Sequence, residues 1–198
     1  MENPNNKEHH QHFIIFKPHG YLSQFINNQT RRTNKKMLGE LYPFPENTMA
    51  IGRLDEHSEG LLFLTTDGKM SEFIRSNSIE KEYYAQVDGE ITLEALEQLK
   101  NGIEISVEGS KYLTKNCKVS KLNQPPTLPE RAKKIRDERH GPTSWVSITL
   151  KEGKFRQVRK MTAVVGFPTL RLVRVRIGTV LLSPMKPGEV LKVDSFLQ

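Results

Sequence analysis

Apolar residues come in short bursts along this chain, most of them too brief to be helices. Phe13–Phe16 is stopped by Lys17-Pro18, which predicts a buried strand ending at the proline. Gly60 to Thr66 (GLLFLTT) predicts a second strand, closed by the Asp67-Gly68 turn signal. A short helix follows from Lys69 to about Arg75, and Lys81–Val87 has the aromatic and β-branched content of another strand. Thr92 caps a helix in which Leu93, Leu96 and Leu99 share one face, ending at Asn101-Gly102. Trp145–Leu150 alternates as a strand, Lys151–Lys154 is a turn, and Arg156–Val165 is helical up to Gly166. Thr169–Ile177 (TLRLVRVRI) predicts a strand with one buried face and an opposite face carrying mainly arginine, although its alternation slips. Glu189–Val193 is a last short strand. Strands and helices intermix without a βαβ rhythm, which predicts an α+β fold.

The polar stretches between these elements set the domain plan. The tail to about Gln11 is expected to be flexible, histidines included, with one folded domain over 12–198. Asn27–Lys36 (NNQTRRTNKK) is a basic loop that would order on a nucleic acid. Lys121–Pro142 is a long, proline-rich irregular stretch carrying Arg131, Lys133, Lys134, Arg136 and Arg139, and a loop of that length inside a domain is a candidate substrate-binding loop.

Composition narrows the function classes. No apolar run approaches the roughly 18 residues of a membrane span, and the N-terminus lacks a signal peptide's apolar core. One cysteine, Cys117, allows no internal disulfide and no cysteine-rich zinc site, which points to a reducing cytoplasm. The net charge of +7 is unevenly spread: residues 1–100 hold 11 basic against 15 acidic side chains, residues 101–198 hold 19 against 8. A basic excess confined to one half suggests a polyanion, with nucleic acid first.

The densest chemistry lies in Gly52-Arg-Leu-Asp-Glu-His-Ser-Glu-Gly60. It sets Asp55 between an apolar segment and a glycine-bounded loop, a rigid seat for a reactive carboxylate. A glycosidase-like pair would need Glu56 or Glu59 to face Asp55. A relay of Asp55, His57 and Ser58 fails, because near neighbours in sequence cannot face one another in that way.

Gly52-Arg53-Leu54-Asp55 followed by Ser58–Gly68 resembles the catalytic motif of pseudouridine synthases of the RsuA type. Lys17-Pro18 is similar to the family's early Lys-Pro motif, Lys81-Glu-Tyr83 to its Lys-x-Tyr motif, and Lys151–Met161 with Arg171–Arg174 and Ile177-Gly178 to its C-terminal motifs. The resemblance spans about residues 13–193 and implies a mixed, mostly antiparallel sheet flanked by short helices, in two small subdomains with the active site between them. Many members begin with an S4 RNA-binding domain. Only twelve residues precede the first strand here, so the likeness is to members without one that act on large-subunit (23S) ribosomal RNA, or an assembly intermediate of it.

That resemblance implies an isomerase that breaks a uridine's N-glycosidic bond, turns the base and rejoins it through carbon 5, with no cofactor and no metal. Asp55 is then the essential carboxylate, and attack on the sugar, attack on the ring and proton removal all stay open to it. Arg159 is its cationic partner, and Tyr83 stacks on the flipped uracil. Arg53, Lys81, Arg131, Lys133, Lys134, Arg136, Arg156, Lys160 and Arg174 are the candidate RNA contacts, on a monomer with no membrane association. A ribosome-binding protein without the activity is the alternative, but it would have no use for a carboxylate in a cationic pocket. His57 and Cys117 are bystanders in this reading.

Overall fold

The structure, a computed structural model, describes residues 9–26, 34–76, 79–135, 138–182 and 184–196. The first half of the chain forms β1 (His12–Lys17), β2 (Tyr21–Leu22), β3 (Lys36–Met37), β4 (Met49–Ile51), β5 (Glu59–Thr65), α1 (Gly68–Ser76), β6 (Lys81–Asp88) and α2 (Leu93–Asn101). The second half forms β7 (Glu104–Val107), β8 (Ser110–Leu113), β9 (Lys118–Leu122), β10 (Thr143–Leu150), α3 (Gln157–Val164), β11 (Thr169–Ile177), β12 (Val180–Leu181) and β13 (Val190–Val193).

One mixed sheet dominates, in the order β13-β1-β5-β11-β6-β10-β9, with β4 added to β5 and β12 to β11. Its strand pairings are antiparallel except for β5 with β11, which run parallel over just two residue pairs, Glu59 with Val173 and Gly60 with Arg174. That narrow seam is why Gly60 is a glycine. Its φ is +106°, and a Cβ there would stand 2.3 Å from the Arg174 carbonyl oxygen, so only a residue without a side chain lets the two backbones meet.

The seam divides the hydrophobic core. On one side a cluster draws all its buried residues from Ala85 to Leu172, including Leu96, Leu99, Val146, Ile148 and Met161. On the other, two clusters on opposite faces of β1 and β5 are built from the chain's two ends, Phe16, Phe63 and Ile74 with Val173, Ile177 and Phe196 on one face, and Phe13, Ile15, Leu62 and Leu64 on the other. The molecule is thus a central lobe inserted into an outer one, the change of core falling between Leu172 and Val173.

Several expectations need correction. Thr92 does cap α2, its side chain accepting from the Ala95 amide, but Leu93 is 77% exposed and the buried face is Ala95, Leu96 and Leu99. At about 100° per residue, Leu93 lies about 60° beyond Leu96, off the edge of that stripe. β11 has no solvent-facing arginine side: Arg171 and Arg174 are buried at 7% and 3% exposure, because the strand is central in the sheet and shifts register twice against β6. The β7–β8 hairpin and β9 go beyond the pattern reading, and β9 takes Lys121 and Leu122 from the stretch expected to be irregular. Residues 1–8 of the tail and 27–33 of the basic loop lie outside the described residues. Gln11 is already tied to Thr66 by two hydrogen bonds, and His12 packs in β1 with Nδ1 2.9 Å from the Thr65 hydroxyl.

Candidate active site

Asp55 sits in the loop joining β4 to β5, and that loop is pinned from several directions. The Ser23 hydroxyl donates to the Leu54 carbonyl at 2.8 Å and accepts from the Leu54 amide at 2.9 Å. The Ser58 amide donates to the Asp55 carbonyl at 3.0 Å, and the Gly20 amide to that of Glu56 at 2.8 Å. β5, which follows, is buried along its whole length. A carboxylate carried on so constrained a backbone is held in position before any ligand arrives. Sequence reasoning misses Ser23, and no motif around it gives it away.

Two guanidiniums converge on Asp55 Oδ2. Arg156 Nη1 donates to it at 3.2 Å and Arg159 Nε lies 3.8 Å away. The ion pair expected of Arg159 is therefore shared, and the shorter contact belongs to Arg156, which the sequence places among the RNA contacts. Arg156 caps α3 in the left-handed conformation, φ 55° and ψ 31°, a strain of order 1 kcal/mol or more for a residue with a side chain. Such strain persists where the surroundings demand it, and here it aims the guanidinium back at Asp55. Arg159 is the more enclosed, its side chain 12% exposed against 40% for Arg156. Its remaining contacts fasten the Asp55 loop to the central lobe: Nη2 donates to the His57 carbonyl at 2.8 Å and Nη1 to the Thr169 carbonyl at 3.2 Å, with the Ser58 hydroxyl at 3.4 Å.

Tyr83 faces Asp55 across a cleft of about 60 Å³, whose apolar wall includes Leu150, Val158 and Leu172. The outer lobe supplies the carboxylate and the central lobe the ring. Tyr83 pairs with Arg174 in the β6–β11 ladder, and the Arg174 guanidinium carbon lies 6.0 Å from the ring centroid. Tyr84 lies on the other face of β6, in a separate groove with Glu82 and Arg176.

The neighbouring acids are spoken for. Glu59 is held by Arg171 through two contacts of 3.0 and 3.1 Å, both side chains buried, and Glu56 by Lys35 at 2.6 Å. Neither forms a carboxylate pair with Asp55. Below the loop, Lys17 is fully buried and donates to the Pro18 and Tyr21 carbonyls at 3.0 and 2.7 Å. Burial draws its pKa down to about 7, against the opposing pull of Glu59, Asp55 and Glu56. His57 stacks on His19 with ring centroids 5.0 Å apart. Burial and the surrounding cations Arg131 and Lys133 lower His19 to about 4. Cys117 is pushed up to about 11 by burial, which leaves it an unreactive thiol.

The other candidate RNA contacts fall in different places. Arg53 is exposed at the mouth of the cleft. Lys133 and Lys134 are exposed on the long loop, while Arg131 turns inward and donates to the Lys133 and Leu170 carbonyls, fastening the loop to β11. Arg136 lies outside the described residues. Lys160 points away from the cleft, donating to the Ser106 carbonyl at 2.8 Å. Lys81 is half-buried with Nζ on the Ile79 carbonyl, and Arg174 donates through Nε to the Leu61 carbonyl. Among the described residues, no group of three or more histidine, cysteine or acidic side chains is arranged to hold a metal ion.

Comparison with known proteins gives the chain its relatives. A family model described as RNA pseudouridylate synthase matches residues 11–164. The chain is 41% identical over 179 residues to the ribosomal large subunit pseudouridine synthase E of Vibrio parahaemolyticus, spanning 89% of this chain and 71% of that protein. It is 39% identical over 178 residues to the protein of the same name from Xanthomonas campestris, spanning 89% and 91%. A crystal structure of a pseudouridylate synthase superposes with a TM-score of 0.71 at 26% identity, over 93% of this chain and 70% of the other.

Proposed function

The chain belongs to the RNA pseudouridylate synthase family, and from that membership we propose that it isomerises a specific uridine of large-subunit ribosomal RNA to pseudouridine, the substrate its bacterial relatives are named for. The bond from C1′ to N1 breaks, the uracil turns, and a bond from C1′ to C5 replaces it. C5 gives up a proton and N1 takes one, so nothing is oxidised and no group is lost. In this reading residues 12–198 are one catalytic unit, and a monomer suffices because the cleft is complete within one chain. It works in the cytoplasm, where ribosomal RNA is assembled.

The placement of Asp55 carries the reading: one carboxylate, two guanidiniums against it, and an aromatic ring across a cleft between two lobes. Every version of the chemistry uses Asp55 as a carboxylate, and the two guanidiniums against Oδ2 fix where that carboxylate points. A uridine in folded RNA must leave its stack to enter the cleft, and Tyr83 offers the face on which it restacks. Arg53, exposed at the mouth of the cleft, and Lys133 and Lys134, exposed on the long loop, are the cations proposed to meet the backbone.

The test is to map pseudouridines in ribosomal RNA by carbodiimide adducts, in cells with the gene, without it, and with Asp55→Asn. One large-subunit position should lose its adduct in both altered strains. A complete set of adducts in the strain without the gene would remove the proposal.

A further inference from the structure

Beyond Tyr83 the cleft adjoins a second cavity of about 290 Å³, several times larger, which shares Arg53, Tyr83 and the 152–154 turn with it. Its walls carry six cationic side chains, Arg53, Arg75, Lys81, Lys151, Lys154 and Arg174, against a single carboxylate, Glu152. Glu152 does not neutralise them. It accepts from the Tyr112 hydroxyl, the Gln157 amide and the Lys115 backbone, and it is committed to that side.

The β11 arginines show what the cavity lacks. Arg171 is matched by Glu59, and Arg176 by Glu82 at 2.9 Å and Glu80 at 3.1 Å. Arg174, 3% exposed, spends Nε on the Leu61 carbonyl at 2.6 Å. Its Nη2 is the one buried side-chain nitrogen or oxygen among the described residues with no hydrogen-bond partner. A guanidinium cannot shed its proton, so it cannot escape burial by becoming neutral. A buried cation with an unused donor is costly unless an anion or acceptor comes to it. Lys81 stands on the same wall, where burial, and after it the neighbouring Arg174, lowers its pKa.

We propose that this cavity is an anion subsite that seats an RNA phosphodiester flanking the target uridine, with Arg174 and Lys81 as its inner contacts and Arg53, Arg75 and Lys151 at its rim. The inference rests on the reading of the chain as an RNA pseudouridine synthase and adds to it where the backbone lies once the base is in the Asp55 cleft. A phosphate oxygen would complete the Arg174 hydrogen bonding with a charge-assisted bond.

Two experiments test it. In the first, thermal unfolding is followed in sodium phosphate against sodium chloride at equal ionic strength, for wild type, Lys81→Gln, Arg75→Gln, Arg174→Met and a distant control, Lys192→Gln. An ion that binds only the folded protein raises Tm. The rise should appear in wild type and Lys192→Gln and be lost in Lys81→Gln and Arg174→Met, with Arg75→Gln between. If Arg174→Met does not fold, Lys81→Gln and Arg75→Gln decide the matter. No rise in wild type, or an equal rise in every variant, overturns the subsite. In the second, affinity for a large-subunit ribosomal RNA fragment is measured across salt concentrations. Lys81→Gln should bind about tenfold more weakly, with its log–log salt slope reduced by about one, the signature of one phosphate no longer neutralised. Loss of the phosphate effect with an unchanged slope overturns RNA as the occupant. A wild type that shows the phosphate effect yet forms no pseudouridine in ribosomal RNA overturns the functional reading, and the RNA occupant with it, while the anion site stands.

Discussion

Arg156 and Arg159 touch the same carboxylate oxygen but are built into the protein differently, and substitution separates them. Arg159 also satisfies the His57 and Thr169 carbonyls, so Arg159→Leu strands two acceptors and should destabilise the fold by about 1–3 kcal/mol as well as impair turnover. Arg159→Lys should recover part of both, since it keeps the charge but not the planar fork. Arg156 is more exposed, and its guanidinium donates to Asp55 rather than to the backbone of the loop. Arg156→Gln should therefore lower kcat while the stability measured in urea stays within about 0.5 kcal/mol of wild type. Equal stability losses at both positions would mean that Arg156 is structural. At Tyr83 the question is ring against hydroxyl. Tyr83→Phe keeps the π-face and should keep RNA binding, whereas Tyr83→Leu should lose the ~1–3 kcal/mol typical of base stacking. If the hydroxyl also moves a proton, Phe will bind normally yet turn over some 10²–10⁴ times more slowly. Phe and Leu variants that both match wild type would return the residue to core packing.

At the scale of elements, the seam between β5 and β11 and the end of β1 beneath it make the site sensitive. Gly60→Ala places a Cβ against the Arg174 backbone at a positive φ, and should cost about 3 kcal/mol or more, read as a fall in the urea midpoint. An alanine variant of normal stability would show that the strands can separate at no cost. Lys17, at the end of β1, gives the seam a pH dependence. Below about pH 7 it is protonated folded and unfolded alike. Between about pH 7 and 10.5 the folded state has released its proton while the unfolded chain still holds one, so the unfolded state binds more protons and stability rises with pH across that window. Wild type should gain stability over Lys17→Met between pH 7 and 9, and a constant difference would show that Lys17 does not titrate there. Elements with a strong local signature were legible in the sequence: β1 from its apolar run, α2 from Thr92, β10 from its alternation. β7 and β8 were not, because Glu104–Val107 and Ser110–Leu113 are short, with few buried side chains, and pair mainly with each other. The burial of Arg171 and Arg174 was equally hidden, since it follows from the place of β11 in the sheet order, a long-range fact. Asp55 stands out from its place between an apolar segment and a glycine-bounded loop, Tyr83 and Arg159 only through motif resemblance, and the left-handed turn that brings Arg156 to Asp55 leaves no mark in the residue pattern.

Across the whole molecule, the lopsided charge turns out to be partly internal. Acids of the first half, Glu59, Glu80, Glu82 and Glu90, are matched by second-half bases, Arg171, Arg176, Lys118 and Lys121. The basic excess facing RNA is accordingly smaller than the sequence count, and it is best represented by cations such as Lys133 and Lys134 on the long loop. Reversing both to glutamate should weaken RNA binding and flatten its salt dependence by about one unit of slope for each phosphate no longer engaged, with turnover at saturating RNA preserved. Lys121→Glu, facing Glu90, should change the slope less, and equal slopes for all three proteins would make the loop a bystander. The insertion of one lobe into the other also orders events in time. Residues 85–172 close their own core from a continuous piece of chain, so that piece can condense as soon as it has been synthesised. The outer lobe sets Ile14 of the first strand against Leu191 of the last. A nascent chain therefore leaves the ribosome with a finished middle and an open sheet edge along β1, which is covered only when the final strand has been made.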